Sequence, residues 1–416
     1  MDTGDTAWIL ASSALVLLMT PGLAFFYGGM VRSKTVLNMM MMSFSALAIV
    51  PVLWVLYGYS IAFSPEGNKL LGGFERLGLQ NISADTVYGT IPEYVFVGFQ
   101  LMFAIITVAL ISGAIADRAK FSAWILFVVI WVTIVYFPVA HWVFDFNADS
   151  GGWIATKLEA VDFAGGTAVH INAGAAGLAL ALVLGKRVGW RRDPMRPHNL
   201  PFVLLGAGLL WFGWFGFNAG SAVGANGLAG LAFVNTAVAT GAAIIGWIAV
   251  EYVRDKKGTS LGAASGAVAG LVAITPAAGA VSPVGSIALG IVAGVLCALA
   301  VGLKYKLGYD DSLDVVGVHL VGGLVGTLLI GFLAVGDGIF YGGNLDLIGK
   351  QFVAAFVVLV YSFVLTYVIG KLIDVTIGFR VSEEDEVTGI DQVEHLETAY
   401  DYAGSSTGGS NLLKEL

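Results

Sequence analysis

Asp162-Phe-Ala-Gly-Gly-Thr-Ala-Val-His-Ile-Asn-Ala-Gly-Ala-Ala-Gly177 and, far down the chain, Asp311-Ser-Leu-Asp-Val-Val-Gly-Val-His-Leu-Val-Gly-Gly-Leu-Val-Gly326 repeat one pattern. Both contain Val-His-x3-Gly-x2-Gly, with Val169, His170, Gly174 and Gly177 answering to Val318, His319, Gly323 and Gly326. An aspartate, Asp162 or Asp311, stands eight residues before each histidine. Each histidine also lies in a stretch without Asp, Glu, Lys or Arg, 163–185 or 315–336.

Seven further stretches lack those residues: 6–31, 35–65, 94–116, 121–144, 197–250, 258–303 and 351–370. A helix needs about 20 mostly apolar residues to cross a bilayer core roughly 30 Å thick. Two stretches, of 54 and 46 residues, are too long for one crossing and are interrupted by turn-prone segments, Asn218 to Gly227 and Pro276 to Pro283. Each reads as a hairpin, so the chain is expected to be an all-α polytopic membrane protein with eleven transmembrane helices. In the 416 residues, 57% are hydrophobic, 12% are charged and 56 are glycine, and mean hydropathy is +0.84. A soluble domain carries about 25% charged residues, so a soluble enzyme, a nucleic-acid binder and a disordered scaffold are excluded. No basic residue precedes the first apolar run, so that run reads as a span rather than a secretory signal.

Basic residues favour the cytoplasmic side of a membrane. With the N-terminus outside, the inner segments collect 17 of them, including Arg32, Lys34, Arg118, Lys120, Lys186 and Arg187. The outer segments hold four, Lys69, Arg76, Lys157 and Lys350, which sets the expectation N-out, C-in. On this count the first motif copy ends helix five and the second ends helix ten. Five plus five helices reverse the direction of insertion, the mark of an inverted repeat with a site near the midplane. The expected units are 6–185, 199–336, an eleventh helix at 349–378 and a cytoplasmic tail at 379–416.

That symmetry brings His170 and His319 face to face. An ionisable group deep in the membrane is a functional hypothesis by default. His141, His198 and His395 read as structural, and Cys297, the lone cysteine, as a buried apolar residue that excludes a disulfide or a cysteine metal site. A route for a permanent cation would need carboxylates or rings of carbonyls, and no charge occurs from Pro197 to Val250 or from Gly258 to Leu303. Neutral imidazoles in an apolar conduit suit a small neutral polar molecule.

Further motifs accompany the repeat: Thr20-Pro-Gly-Leu-Ala-Phe-Phe-Tyr-Gly-Gly29, Trp211-Phe-Gly-Trp-Phe-Gly-Phe-Asn-Ala-Gly-Ser221 and Asp310-Asp-Ser-Leu-Asp314 ahead of His319. With them the chain resembles a bacterial member of the ammonium transporter family (Amt, Mep and Rh proteins) from Asp5 to about Tyr400. The resemblance implies a homotrimer, a pore in each subunit, no cofactor and no enzymatic activity. It makes His170 and His319 the pore histidines and Phe103 and Phe217 the gate. Phe99, Trp214, Ser221 and Asp162 would form the outer ammonium-recruiting site, although Asp162 also reads as a helix N-cap. The family often carries a tryptophan just after the His-x-Val of helix four, whereas His141-Trp-Val is followed here by Phe144. Either Phe144 or Trp153 would complete the aromatic wall.

The resemblance further implies that ammonium is deprotonated and crosses as ammonia, with net proton and charge transfer, in the cell inner membrane. Gly378, Arg380, Asp391, His395, Glu397 and Tyr400 would belong to a regulatory tail that docks a PII-type signalling protein. Alternatives are an ammonium sensor using the same core and a membrane haem protein with a histidine pair. Residues 379–416 hold nine acidic and two basic residues, which locates most of the net charge of -8. The stretch Ala403 to Asn411 is low in apolar residues and reads as disordered.

Overall fold

The computed structural model describes residues 1–400; the stretch read as disordered, 403–411, lies outside the described residues. Ten helices among them are long and apolar enough to cross a membrane. In chain order, α1 is Thr3–Met30, α2 Val36–Phe63, α3 Glu93–Ile115, α4 Phe121–Phe144, α5 Gly166–Leu184, α6 Leu200–Gly220 and α7 Gly227–Asp255. The shorter apolar α8, Ser260–Ile274, precedes α9 (Pro283–Leu307), α10 (Val316–Leu333) and α11 (Asp346–Thr376). The protein is a multi-pass helical membrane protein.

Both uncharged stretches that exceed one span do break. Helix α6 continues through Asn218 to Gly220, two residues past the expected start of the turn, and α7 begins where the Asn226 side chain accepts from the Leu228 and Ala229 N–H groups. The second break runs from Thr275 to Ser282, and the Asn235 amide steadies it by donating to the carbonyls of Ala278 and Val281 at 2.9 and 2.8 Å. Lipid gives apolar surfaces no reason to associate, so helix contacts rely on close backbone approach at small residues. Here α7 meets α9 so closely that a Cβ at Gly294 would lie 2.1 Å from the Ala243 carbonyl oxygen. Leu205, Phe212, Ile245 and Val253 on the periphery are exposed, as side chains facing hydrocarbon would be.

The repeated motif appears as repeated geometry. Residues Gly166–Ile171 and Val316–Leu320 both wind as wide π turns rather than regular α turns, a local form frequent at functional sites. Each motif opens its span instead of ending it, because the preceding aspartate caps the helix start. Asp311 accepts from the N–H groups of Val315 and Val316 at 3.1 and 2.7 Å. Between α2 and α3 a small hairpin pairs β1 (Val87–Tyr88) with β2 (Ile91–Pro92) and lays the Tyr88 ring on Phe96, centroids 3.7 Å apart. After α11 the chain forms two short helices, α12 (Glu383–Thr388) and α13 (Asp391–His395).

Candidate functional site

Aromatic side chains from α3, α4 and α6 converge near the hairpin end of the bundle. Phe99 and Phe103 are one turn apart on α3, and Phe217 and Ser221 one turn apart at the end of α6. Phe96, Phe99, Gln100, Phe103, Phe144 and Ser221 line a cavity of about 60 Å³ together with Tyr88, Phe146, Phe163 and Val223. Its floor is the stack of Phe103 on Phe217, with centroids 4.2 Å apart and planes at 18°. Phe99 and Phe144 meet Phe103 edge-on at 4.9 and 6.1 Å. Trp153 packs on Trp142, with centroids 6.0 Å apart, and does not line the cavity.

Beneath the stacked pair, the His170 ring lies 6.2 Å from Phe217 and 5.4 Å from Trp214, nearly parallel to the indole. Trp214 therefore sits beside the histidines rather than among the residues lining the cavity, and its indole N–H donates to the Thr275 hydroxyl at 2.8 Å. His319 follows, its centroid 5.4 Å from that of His170 and the two Nδ1 atoms 3.4 Å apart. Both histidines are buried, and His170 Nε2 has no protein partner among the described residues. If the Nδ1 atoms share one proton, one Nε2 is left as an acceptor and the other as a donor. The file thus offers hydrogen-bonding atoms without a formal charge.

Asp162 stands beside this file at the start of α5. Its Oδ1 accepts from the N–H groups of Gly165 and Gly166 at 2.8 and 2.6 Å, and its Oδ2 from those of Thr167 and Ala168 at 2.8 and 3.2 Å. The Thr167 hydroxyl also donates to Oδ2. Burial pushes this carboxyl above the usual carboxylate range, and the hydrogen bonds from Thr167, Gly165 and Gly166 pull against that shift.

The profile of the Ammonium Transporter Family matches residues 7–400. The chain belongs to the ammonium transporter family. An ammonium transporter of Mycobacterium tuberculosis (strain H37Rv) is 60% identical, covering 97% of this chain and 92% of the relative. One of Bacillus subtilis is 50% identical over 96% of this chain and 99% of its own length. Among solved structures, Candida albicans Mep2 superposes with a TM-score of 0.84 at 33% identity, covering 92% of this chain and 88% of that one. A structure described as "Sensor Amt Protein" gives 0.88 at 28% identity, covering 94% and 98%.

At the opposite end of this ammonium transporter family member, buried charges join distant segments. The Arg187 guanidinium holds Asp310 through two bonds of 2.8 and 2.9 Å and reaches Asp117 at 3.1 Å. Arg118 donates to the Ser312 hydroxyl and the Asp310 carbonyl, both at 2.6 Å. Burial raises the Asp310 carboxyl, but the Arg187 side chain more than offsets this and leaves it below its ordinary value. Burial pulls the Arg118 guanidinium down to about 10.

The tail docks onto this layer. Gly378, at φ +74°, turns the chain out of α11, and Lys120 and Val381 exchange backbone bonds with Phe379 and Arg118. The fully buried Glu386 accepts from the Val188 N–H at 2.7 Å and from Arg380 at 2.6 Å. Asp391 caps α2 by accepting from the Leu37 and Asn38 N–H groups at 3.0 and 2.8 Å, and His395 meets the Asn38 side chain at 3.0 Å. Glu397 returns a backbone bond to Asp391, and Tyr400 meets His198 at 2.7 Å. Replacing Asp391 by alanine is therefore expected to loosen the tail. A lost cap costs about 1 kcal/mol, or about fivefold in the docked-to-undocked ratio, to be read as faster limited proteolysis after residue 378 with α1 to α11 intact.

Sequence reasoning did not single out Gln100, Tyr88, Phe146 or Phe163 at the cavity, nor the Arg187, Asp310 and Asp117 cluster. A signal for the latter was available, since buried charges beside apolar spans must find partners.

Proposed function

We propose that this protein carries ammonium across the cell membrane. Ammonium is recruited in the aromatic cavity by Phe99, Phe103, Phe144 and Ser221. At the Phe103 and Phe217 stack it gives up its proton to water and travels as ammonia along Trp214, His170 and His319, while the proton crosses by a separate wet route, so that net charge is transferred. The observation that carries this reading is the buried histidine pair, 3.4 Å between Nδ1 atoms, lying directly behind the stacked phenylalanines. Transferring a full charge into an uncharged apolar file is expensive, whereas ammonia needs only a hydrogen bond or two. Potassium has no proton to shed, so the same file rejects it.

The concentration of basic side chains at the tail end supports N-out, C-in. Helix α8 spans 15 residues, about 22 Å of rise, and with the Thr275 to Ser282 turn it serves as the crossing that completes eleven. The paired π turns support the five-plus-five inverted repeat. Family membership supports assembly as a homotrimer and docking of a PII-type signalling protein at the tail face.

The test is solid-supported membrane electrophysiology on proteoliposomes. An ammonium concentration jump should evoke a current and an equal potassium jump none; silence with ammonium overturns the reading. The likeness to a structure described as a sensor favours a second role, in which the same core reports ammonium. A core that only senses would bind ammonium and give no current. The haem alternative gains no support from two imidazoles this close together.

A further inference from the structure

The wall of the cavity above the stacked phenylalanines holds a side-chain amide whose oxygen has no partner among the described residues. Gln100 follows Phe99 and precedes Phe103 by three residues, so its side chain leaves α3 beside both rings. It is 7% exposed, lines the cavity, and its Oε1 is buried without a hydrogen-bond partner among the described residues. A buried amide oxygen left unpaired is unfavourable. In an aromatic wall the amide is free to turn its oxygen towards a donor that a ligand brings.

We propose that Gln100 is a hydrogen-bond acceptor for ammonium in this cavity and sets its preference for cations that carry N–H donors. This rests on the reading of the cavity as the site where ammonium is recruited. Phe99, Phe103 and Phe144 offer ring faces and edges, and a ring face attracts any monovalent cation, potassium included. Discrimination requires directional acceptors placed to meet N–H bonds. Ser221 supplies one: its hydroxyl proton is spent on the Phe217 carbonyl at 2.8 Å, leaving its lone pairs for a ligand. Gln100 supplies another. The oxygen and nitrogen ends of an amide fill the same space, so a bound cation favours the orientation with oxygen towards it.

Neutrality matters as much as position. A carboxylate here would hold any small cation and resist its release, whereas conduction requires sites that bind weakly enough to let go. An amide oxygen strengthens the site for an N–H donor without adding charge.

The experiment compares wild type, Gln100→Met, Gln100→Glu and Ser221→Ala in proteoliposomes, reading the half-saturating ammonium concentration, the maximal current and competition by potassium. Gln100→Met keeps the side-chain length and removes the acceptor. It should raise half-saturation about tenfold, as expected for one hydrogen bond to a charged group, with the loss appearing there rather than in the maximal current. Gln100→Glu should restore half-saturation and let potassium compete. An unchanged half-saturation in Gln100→Met, or no recovery in Gln100→Glu, overturns the proposal. If Ser221→Ala weakens half-saturation while Gln100→Met does not, the recruitment site stands and the role of Gln100 falls. A silent wild type would instead overturn the transport reading itself.

Discussion

Replacing Asp162 by alanine is expected to abolish ammonium-evoked current and to leave little folded protein. The carboxylate closes the start of α5 by accepting from four consecutive backbone N–H groups, those of Gly165 to Ala168, and from the Thr167 hydroxyl. The first N–H groups of a helix have no partner within it, and here all lie in a buried, dry setting. At about 1 kcal/mol for each one left unpaired, the loss is about 4 kcal/mol, a large part of a typical stability of about 5–15 kcal/mol. The neighbouring π turn carries His170, so even the protein that folds would present that ring from a displaced backbone. Asp162→Asn keeps one acceptor oxygen and should fall between wild type and Asp162→Ala. Melting of the purified protein checks the first claim and current per folded molecule the second. A wild-type melting temperature in Asp162→Ala would show that the cap is dispensable.

The second large effect belongs to the histidines. Removing both imidazoles in a His170→Ala, His319→Ala variant leaves Trp214, Phe217 and apolar side chains around a widened, featureless passage. Ammonia would then shed its hydration with no replacement partners. Two neutral hydrogen bonds at about 1 kcal/mol each correspond to about a thirtyfold fall in flux. Current and ammonia-driven internal pH change, measured on the same vesicles, should fall together. Wild-type currents in the double variant would remove the pair from the mechanism.

These effects could be located because lipid simplifies a sequence. A span admits almost no charge, so charge-free stretches outline the helices, and within them His170 and His319 stand out because they alone among the histidines share the repeated motif. Gly262, Gly266 and Gly270 recur every four residues, the spacing that lets helices approach closely, and Gly266 and Gly270 do face α7. The direction of the motif was read the wrong way round, since spacing alone does not say whether a histidine opens or closes a helix; the hydrogen bonds to Asp162 and Asp311 do. Trp214 was grouped with the outer site by resemblance, whereas its contacts place it against His170. Gln100 stayed hidden because a single amide among apolar residues has no period. Arg187 and Asp310 stayed hidden because 123 residues separate them. The hairpin at Tyr88 rests on two-residue strands, too short for any alternation to register.

The stack of Phe103 on Phe217 has a bioenergetic consequence. With ring centroids 4.2 Å apart the two faces are in contact, and on the proposed route that contact leaves no room for water between the rings at rest. On the proposed reading, no proton then hops along water through the ammonia route while no substrate passes. On that reading, passage of ammonia waits on thermal displacement of the rings, one molecule at a time. On that reading, a membrane can hold many copies without opening a proton wire along the histidine file of each, even when ammonium is scarce.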